Sequence, residues 1–282
     1  MRTLVKLGFM ASDEVPPALL AELHGLWPHS LTPSGFRFEE DETDPITREV
    51  LETLRRHGYS RWTDYTRALL ADCEYSMKRV RKYDVSDFEQ AEFLEPNPDD
   101  GTLDALRDDH NRLYLHYRQL PRRRKIVCAD SFNLVCSNAT RQLLESQQLE
   151  GLAFREAVVA TQHSPSRGGK PVTDHEPWWE IIAETTLPPV SEHVRKLGFN
   201  GAIWPRDCPT PVSLSDGDFF GWELHYCRSE INSLPPFDIA MTYEYLSGGQ
   251  VSRIRVVSNR FWRACREHEL YSCWTPVRIE DC

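Results

Sequence analysis

Nothing in the 282-residue sequence approaches the roughly 18 consecutive apolar residues that a membrane-spanning helix needs. The start, Met1-Arg2-Thr3-Leu4-Val5-Lys6-Leu7, is basic, but its apolar run is broken at Lys6 and soon meets Asp13 and Glu14. It therefore does not read as a secretory leader, and the expected compartment is the cytoplasm. Positive charge is also scarce. Lys and Arg total 33 against 43 Asp and Glu, a net charge of −10. That balance argues against general affinity for nucleic acid or an anionic membrane surface. Two local basic clusters, Lys78–Lys82 and Arg122–Lys125, read as solvated faces or strand-edge guards, with phosphate binding as the alternative.

Closely spaced metal ligands are missing as well. The 8 cysteines are scattered and no C-x-x-C pair occurs, whereas zinc sites draw ligand pairs from tight turns. The cysteines are expected to be reduced, small and buried, with no bound metal or cofactor. No G-x-S-x-G, H-E-x-x-H or G-x-G-x-x-G motif is present. Gly168-Gly169-Lys170 imitates a phosphate loop, but Pro171 stands where Ser or Thr would hold the metal. It reads as a loop.

What is present begins with helical punctuation. Pro16-Pro17 leads into a helix carrying Leu19, Leu20 and Leu23. A second helix is capped by Asp44, has Pro45 at its first position, buries a stripe of Ile46, Val50, Leu51 and Leu54, and stops at Gly58. A third is expected from Asp64 to about Val80, and a fourth from Ser86 through Leu94. Glu95 to Gly101 reads as a loop. After Pro121 the pattern changes: Ile126–Cys128, Leu134–Cys136 and Leu152–Val158 read as short strands, with a helix starting at Ser137. The same order recurs downstream, with Val256-Val257-Ser258-Asn259 falling on Val135-Cys136-Ser137-Asn138 and Leu270 on Leu149. The expected fold is α+β: a mainly helical region over residues 1–120, then a mixed α/β region over 121–282 built on a duplicated strand–helix–strand unit.

Two polar groupings are candidates for function. Glu39, Glu40, Asp41 and Glu42 form a dense acidic run, read either as a solvated loop or as a docking strip for a basic partner. His163, Asp174, His175 and Glu176 have the side chains for acid–base chemistry. The last three are consecutive, however, and diverge on a regular backbone. The many tryptophans of the second half, Trp178, Trp179, Trp204, Trp222, Trp262 and Trp274, are expected mainly in the core.

Phe237–Glu244, Val256–Trp262 and Trp274–Glu280 together resemble the C-terminal module of bacterial double-CXXCG motif proteins and related immunity proteins of polymorphic toxin systems. The earlier Val135-Cys136-Ser137 segment resembles the same module. Both CXXCG motifs are absent here, and no catalytic residue is carried over. The resemblance implies a non-catalytic immunity-type protein that binds and neutralises a cognate toxin, with Glu39, Glu40, Asp41 and Glu42 as the candidate contact residues for a basic toxin. The alternatives are a small enzyme, such as a hydrolase, using His163, Asp174, His175 or Glu176, and a non-catalytic scaffold.

Overall fold

The computed structural model describes residues 1–9, 15–28, 36–59, 62–63, 75–97, 103–121, 126–129, 133–163, 169–192, 194, 212–213, 224–247 and 251–282. They fall into two compact units, one built on Met1–Val85 and the other on the chain from Ser86 onward. No helix among the described residues is long and apolar enough to cross a membrane.

The first unit alternates strand and helix: β1 (Arg2–Gly8), α1 (Pro17–Leu26), β2 (Arg37–Asp41), α2 (Pro45–Arg56), β3 (Trp62–Thr63) and β4 (Tyr75–Lys82). The sheet order is β2-β1-β4-β3. Val5, Leu7 and Phe38 from the sheet meet Leu19, Leu23, Val50 and Leu54 from the helices in one buried cluster. Each such side chain contributes about 1.5–3 kcal/mol when fully buried. α2 begins and ends as its punctuation requires. Asp44 Oδ1 accepts the Ile46 N–H at 2.9 Å, Pro45 occupies the first turn, and Gly58 takes a φ of +85° just past the last turn.

A helical N-terminal region is not what these residues form. Among the described residues, seven strands lie within the first 120 positions, and the helices there are short. Tyr75–Val80, expected in the third helix, lies in β4, and Leu94, expected in the fourth, lies in a strand. Tertiary pairing overrides local propensity in both places. β4 runs antiparallel to β1 over seven residues, from Arg2↔Lys82 to Gly8↔Ser76. The protein is mostly β. The Lys78–Lys82 cluster therefore sits on a strand flanked by β1 and β3, and Arg122–Lys125 lies outside the described residues.

The second unit opens with α3 (Val85–Gln90) and β5 (Phe93–Pro96), followed by β6 (Ala105–Arg107), β7 (Leu113–His116), β8 (Ile126–Ala129), β9 (Asn133–Ser137), α4 (Asn138–Ser146), β10 (Leu152–Ala160) and β11 (Trp178–Ala183). It continues with β12 (Thr185–Thr186), β13 (Val212–Ser213), β14 (His225–Cys227), α5 (Arg228–Ile231), β15 (Ile239–Met241), β16 (Leu246–Ser247), β17 (Val251–Ser252), β18 (Arg255–Ser258), α6 (Asn259–Glu267) and β19 (Trp274–Glu280). Two six-stranded sheets result, β6-β7-β10-β11-β9-β8 and β12-β15-β18-β5-β19-β14, beside a small β13-β16-β17 sheet.

The two large sheets repeat one pattern. In the first, β9 leads through α4 to β10, and β11 lies between them, antiparallel to both. In the second, β18 leads through α6 to β19, and β5 lies between them in the same sense. Ser137 and Ser258 cap the two helices with identical backbone angles, φ −69° and ψ 162°, each accepting an N–H three residues on. Both helices are nine residues long, and Gln148 and Glu269 end them with the same φ of 51°. The registers agree too: Ser137 faces Trp178 where Ser258 faces Phe93. The middle strands come from unexpected places in the chain. β5 precedes the first copy and β11 precedes the second, so each half gives its leading strand to the other half's sheet. One apolar core lies between the sheets, joining Leu134, Cys136, Leu144 and Ile181 to Leu94, Val257, Phe261 and Trp274.

Cys227 and Cys282 form a disulfide, which departs from the expectation of reduced thiols throughout. It ties the last residue to β14. Cys128, Cys136 and Cys265 are buried thiols outside any disulfide, as expected, while Cys73 and Cys208 lie outside the described residues.

The two caps differ in one respect. The Ser258 hydroxyl also donates to Asp238 Oδ1, and Asp238 is buried. Ser137→Ala should therefore cost about 1 kcal/mol, the ordinary worth of an N-cap. Ser258→Ala should cost about 2–3 kcal/mol, because it also strips a donor from a buried carboxylate. Urea unfolding of the two variants measures the difference, and equal losses would contradict it.

Candidate functional site

Superposed by register, the two middle strands place Glu95 and Glu180 at the same position. The two carboxyl groups are buried, yet their surroundings have diverged.

Glu180 is surrounded by guanidinium groups. Arg107 donates Nη2 to Oε1 at 2.6 Å and Nη1 to Oε2 at 3.1 Å. Arg155, directly across the strand pair, donates Nη2 and Nε to Oε2 at 2.7 and 3.2 Å. Arg255 comes from β18 in the other sheet. It donates Nε to the Ile181 carbonyl at 3.1 Å and Nη2 to Glu180 Oε1 at 3.4 Å. Asn133 Oδ1 accepts from both Arg107 and Arg255. Burial pushes the Glu180 carboxyl up, but the hydrogen bonds from Arg107 and Arg155 outweigh it and hold the group below the usual carboxylate range. Burial also pushes Arg255 down to about 10, which leaves it charged at neutral pH. Glu180 is thus a fixed anion that ties the two sheets together.

Glu95 has no such company. It faces Thr275 where Glu180 faces Arg155, and among the described residues no cation or hydrogen-bond donor reaches its carboxyl. Burial alone pushes it up to about 8. Tyr226, fully buried on β14, is close enough to sense both Glu95 and Glu244, and burial together with those carboxyls raises its phenol well above the usual range. Among the described residues its hydroxyl has no partner. Glu244, also buried, accepts the Val190 N–H at 2.8 Å. At neutral pH Glu95 is a neutral acid, able to donate a hydrogen bond or a proton where Glu180 cannot.

The side chains singled out from the sequence lie elsewhere. Glu39 to Asp41 belong to strand β2 instead of a loop. Glu39 is held by Lys6 at 2.9 Å and Lys82 at 3.4 Å, and Lys6 foremost draws its carboxyl below the usual range. Asp41 accepts the N–H and hydroxyl of Thr43. Asp174 and Glu176 are exposed. His175 Nδ1 meets the Glu176 carbonyl at 2.9 Å, and Glu176 Oε1 accepts the Ala139 N–H of α4 at 3.3 Å. Neighbours in sequence, they turn to different local partners. Among the described residues no three His, Cys, Asp or Glu side chains are grouped to hold a metal.

Glu95 and Glu180 are not among the residues singled out from the sequence. A usable signal existed: Val85-Ser86-Asp87-Phe88-Glu89 and Val172-Thr173-Asp174-His175-Glu176 share Val, a hydroxyl residue, Asp and Glu, and each precedes two large apolar residues and a glutamate. No protein-family model, curated protein or solved structure matches the chain.

Opposite environments give opposite pH behaviour. Glu95 keeps its proton in the folded chain up to about pH 8, while the unfolded chain loses it near the ordinary value of about 4.3. Between those limits the folded state binds more protons, so stability falls as pH rises. Glu95→Gln should remove that slope: no gain over wild type near pH 4, and a gain on the order of 3–5 kcal/mol by about pH 8.5. Glu180 has a lowered folded value, so its contribution is present above the ordinary carboxylate range and lost as pH falls through the folded value. Glu180→Gln should cost about 3–5 kcal/mol at neutral pH, since three guanidiniums lose their anion. Thermal melts of both variants across pH check the pair, and parallel pH profiles would refute the distinction.

Proposed function

We propose that this chain is a non-catalytic immunity-type protein that binds and neutralises a cognate bacterial toxin of basic character. The observation that carries the reading is the acidic run on β2. β2 ends its sheet among the described residues, and an edge strand offers backbone N–H and C=O groups to which a partner strand can add. Glu39 is engaged by Lys6 and Lys82, so part of the run's charge is already met and the remainder supplies the steering. The resemblance of the Phe237–Glu244, Val256–Trp262 and Trp274–Glu280 segments to toxin-immunity modules supports the same reading.

The proposal includes action in the cytoplasm. The Cys227–Cys282 disulfide is a feature that weighs against that compartment, since structural disulfides are rare in a reducing cytoplasm.

Co-expression with the product of the neighbouring gene tests the function. Toxicity should be relieved by the wild-type chain and relieved less well when Glu39, Glu40, Asp41 and Glu42 are replaced by their amides. The amide variant should associate about tenfold more slowly at low salt, with the gap closing at high salt, because steering charge acts mainly on the association rate. Undiminished rescue would remove β2 from the interface. Absence of toxicity and of a complex with any neighbour would end the immunity reading.

A further inference from the structure

The duplicated halves treat their helices differently. α6 is covered: α3 lies against it, with the Phe88 ring 6.2 Å from Trp262 and Glu89 paired to Arg266 at 2.7 Å. The Asn259 side-chain amide clamps α3 by donating to the carbonyls of Phe88 at 2.8 Å and Ala91 at 2.7 Å. The counterpart segment before β11 is shorter. From Val85 to Phe93 is eight steps along the chain, and from Val172 to Trp178 is six. It forms a turn where α3 forms a helix.

α4 is left with a cleft against β10. About 320 Å³ in volume, it is lined by Arg141, Glu145, Gln148, Leu149, Leu152 and Phe154 among others. Arg141 holds the position of Trp262, and Glu145 that of Arg266. The Arg141 guanidinium lies 3.9 Å from the centre of the Trp179 ring, so a thin flat group stands where the other half buries a whole indole. Asn138 corresponds to Asn259. Its Oδ1 accepts from Trp179 Nε1 at 3.2 Å, and among the described residues its Nδ2 has no acceptor. Among the described residues, the donor that clamps two helix carbonyls in one half therefore meets no carbonyl in the other.

We propose that the cleft between α4 and β10 docks a short helical segment of a protein partner, carrying an aromatic residue followed by a basic one. The aromatic side chain enters beside Phe154 and Arg141, as Phe88 enters beside Trp262. The basic residue meets Glu145, the inverse of the Glu89–Arg266 pair, through Oε2, since Oε1 already accepts from Arg141 Nε at 2.8 Å. Asn138 Nδ2 takes the helix carbonyl. The inference rests on the reading that the chain binds a basic protein, and it adds the segment that such a partner presents.

The test uses two labelled peptides copying Asp84–Glu92 of this chain, one unchanged and one with Glu89→Lys, titrated with the full chain by fluorescence anisotropy. The lysine peptide should bind at least about tenfold more tightly than the unchanged one, a gap equivalent to about 1.4 kcal/mol. Arg141→Trp, which supplies the ring that fills the other half, should weaken lysine-peptide binding about tenfold while leaving the thermal melt within a few degrees. Equal binding of the two peptides, binding indifferent to Arg141→Trp, or no binding below about 1 mM would overturn the proposal. So would free indole binding as tightly as the lysine peptide, which would make the cleft a small-molecule pocket. Because the probe is a peptide, its result is separate from the toxin experiment. Peptide binding without a toxin complex would sustain the cleft and sink the immunity reading, and the converse would do the reverse.

Discussion

A carboxylate leaves water only if cations or donors go with it, because an uncompensated buried charge costs several kcal/mol. Glu180 meets that condition by recruiting from three strands at once: Arg107 on β6, Arg155 on β10 and Arg255 on β18. The first two belong to its own sheet, and the third crosses from the other. The register of the sheet pair is thereby constrained. If β18 slid by one residue, Arg255 would point to the opposite face and Glu180 would lose a partner that no water can replace. Apolar contacts between Ile181, Leu94 and Val257 would tolerate such a slip far better. The hydrophobic core supplies the attraction between the sheets, and the ion cluster supplies the specificity.

The exchange of middle strands explains why this constraint falls between halves. β11 precedes the second copy in the chain yet completes the first sheet, and β5 does the reverse. Each half is left incomplete without the other, since a sheet lacking its central strand would expose the ladder groups of two neighbours. The halves therefore fold as one body, and substitutions in one can be compensated in the other. Divergence is visible at two equivalent places. Glu95 kept its carboxyl but stands opposite Thr275, and Arg141 stands where α6 carries Trp262. In both cases one copy is satisfied by partners within the chain, while among the described residues the other differs: Glu95 keeps its proton in place of an ion pair, and α4 has a cleft where α6 has a ring.

What could be read from the sequence was local. Asp44, Pro45 and Gly58 mark both ends of α2 because capping and positive φ depend on residues within one turn. The Ser-Asn pairs at 137–138 and 258–259 mark two equivalent helix starts for the same reason. The strands of the first 120 residues could not be read this way. β4 contains Lys78, Arg79, Arg81 and Lys82, which favour a helix in isolation, and only its pairing with β1 over seven residues makes it a strand. β1 itself alternates buried Val5 and Leu7 with Lys6, but over too few residues to stand out beside a basic start. The disulfide was invisible for a related reason: Cys227 and Cys282 are 55 residues apart, and only the parallel pairing of β14 with β19 brings them together.

The two acidic features of the chain differ in the same way. The run Glu39–Glu42 stands out in the sequence because its charges are adjacent, yet Glu39, Glu40 and Asp41 lie on a strand that sends them to alternate faces, and Lys6 and Lys82 already meet Glu39. Its strength as a patch is lower than its composition suggests. Glu95 and Glu180 are single letters amid apolar neighbours, 85 positions apart, and nothing local marks them. They matter more because burial lowers the dielectric around each carboxyl, which keeps Glu95 protonated and strengthens the ion pairs of Glu180. Local density of charge is therefore a poor guide to electrostatic importance in this fold. A better guide is an acid at a position where the strand pattern calls for an apolar residue, repeated at the same register in both halves of a duplicated chain.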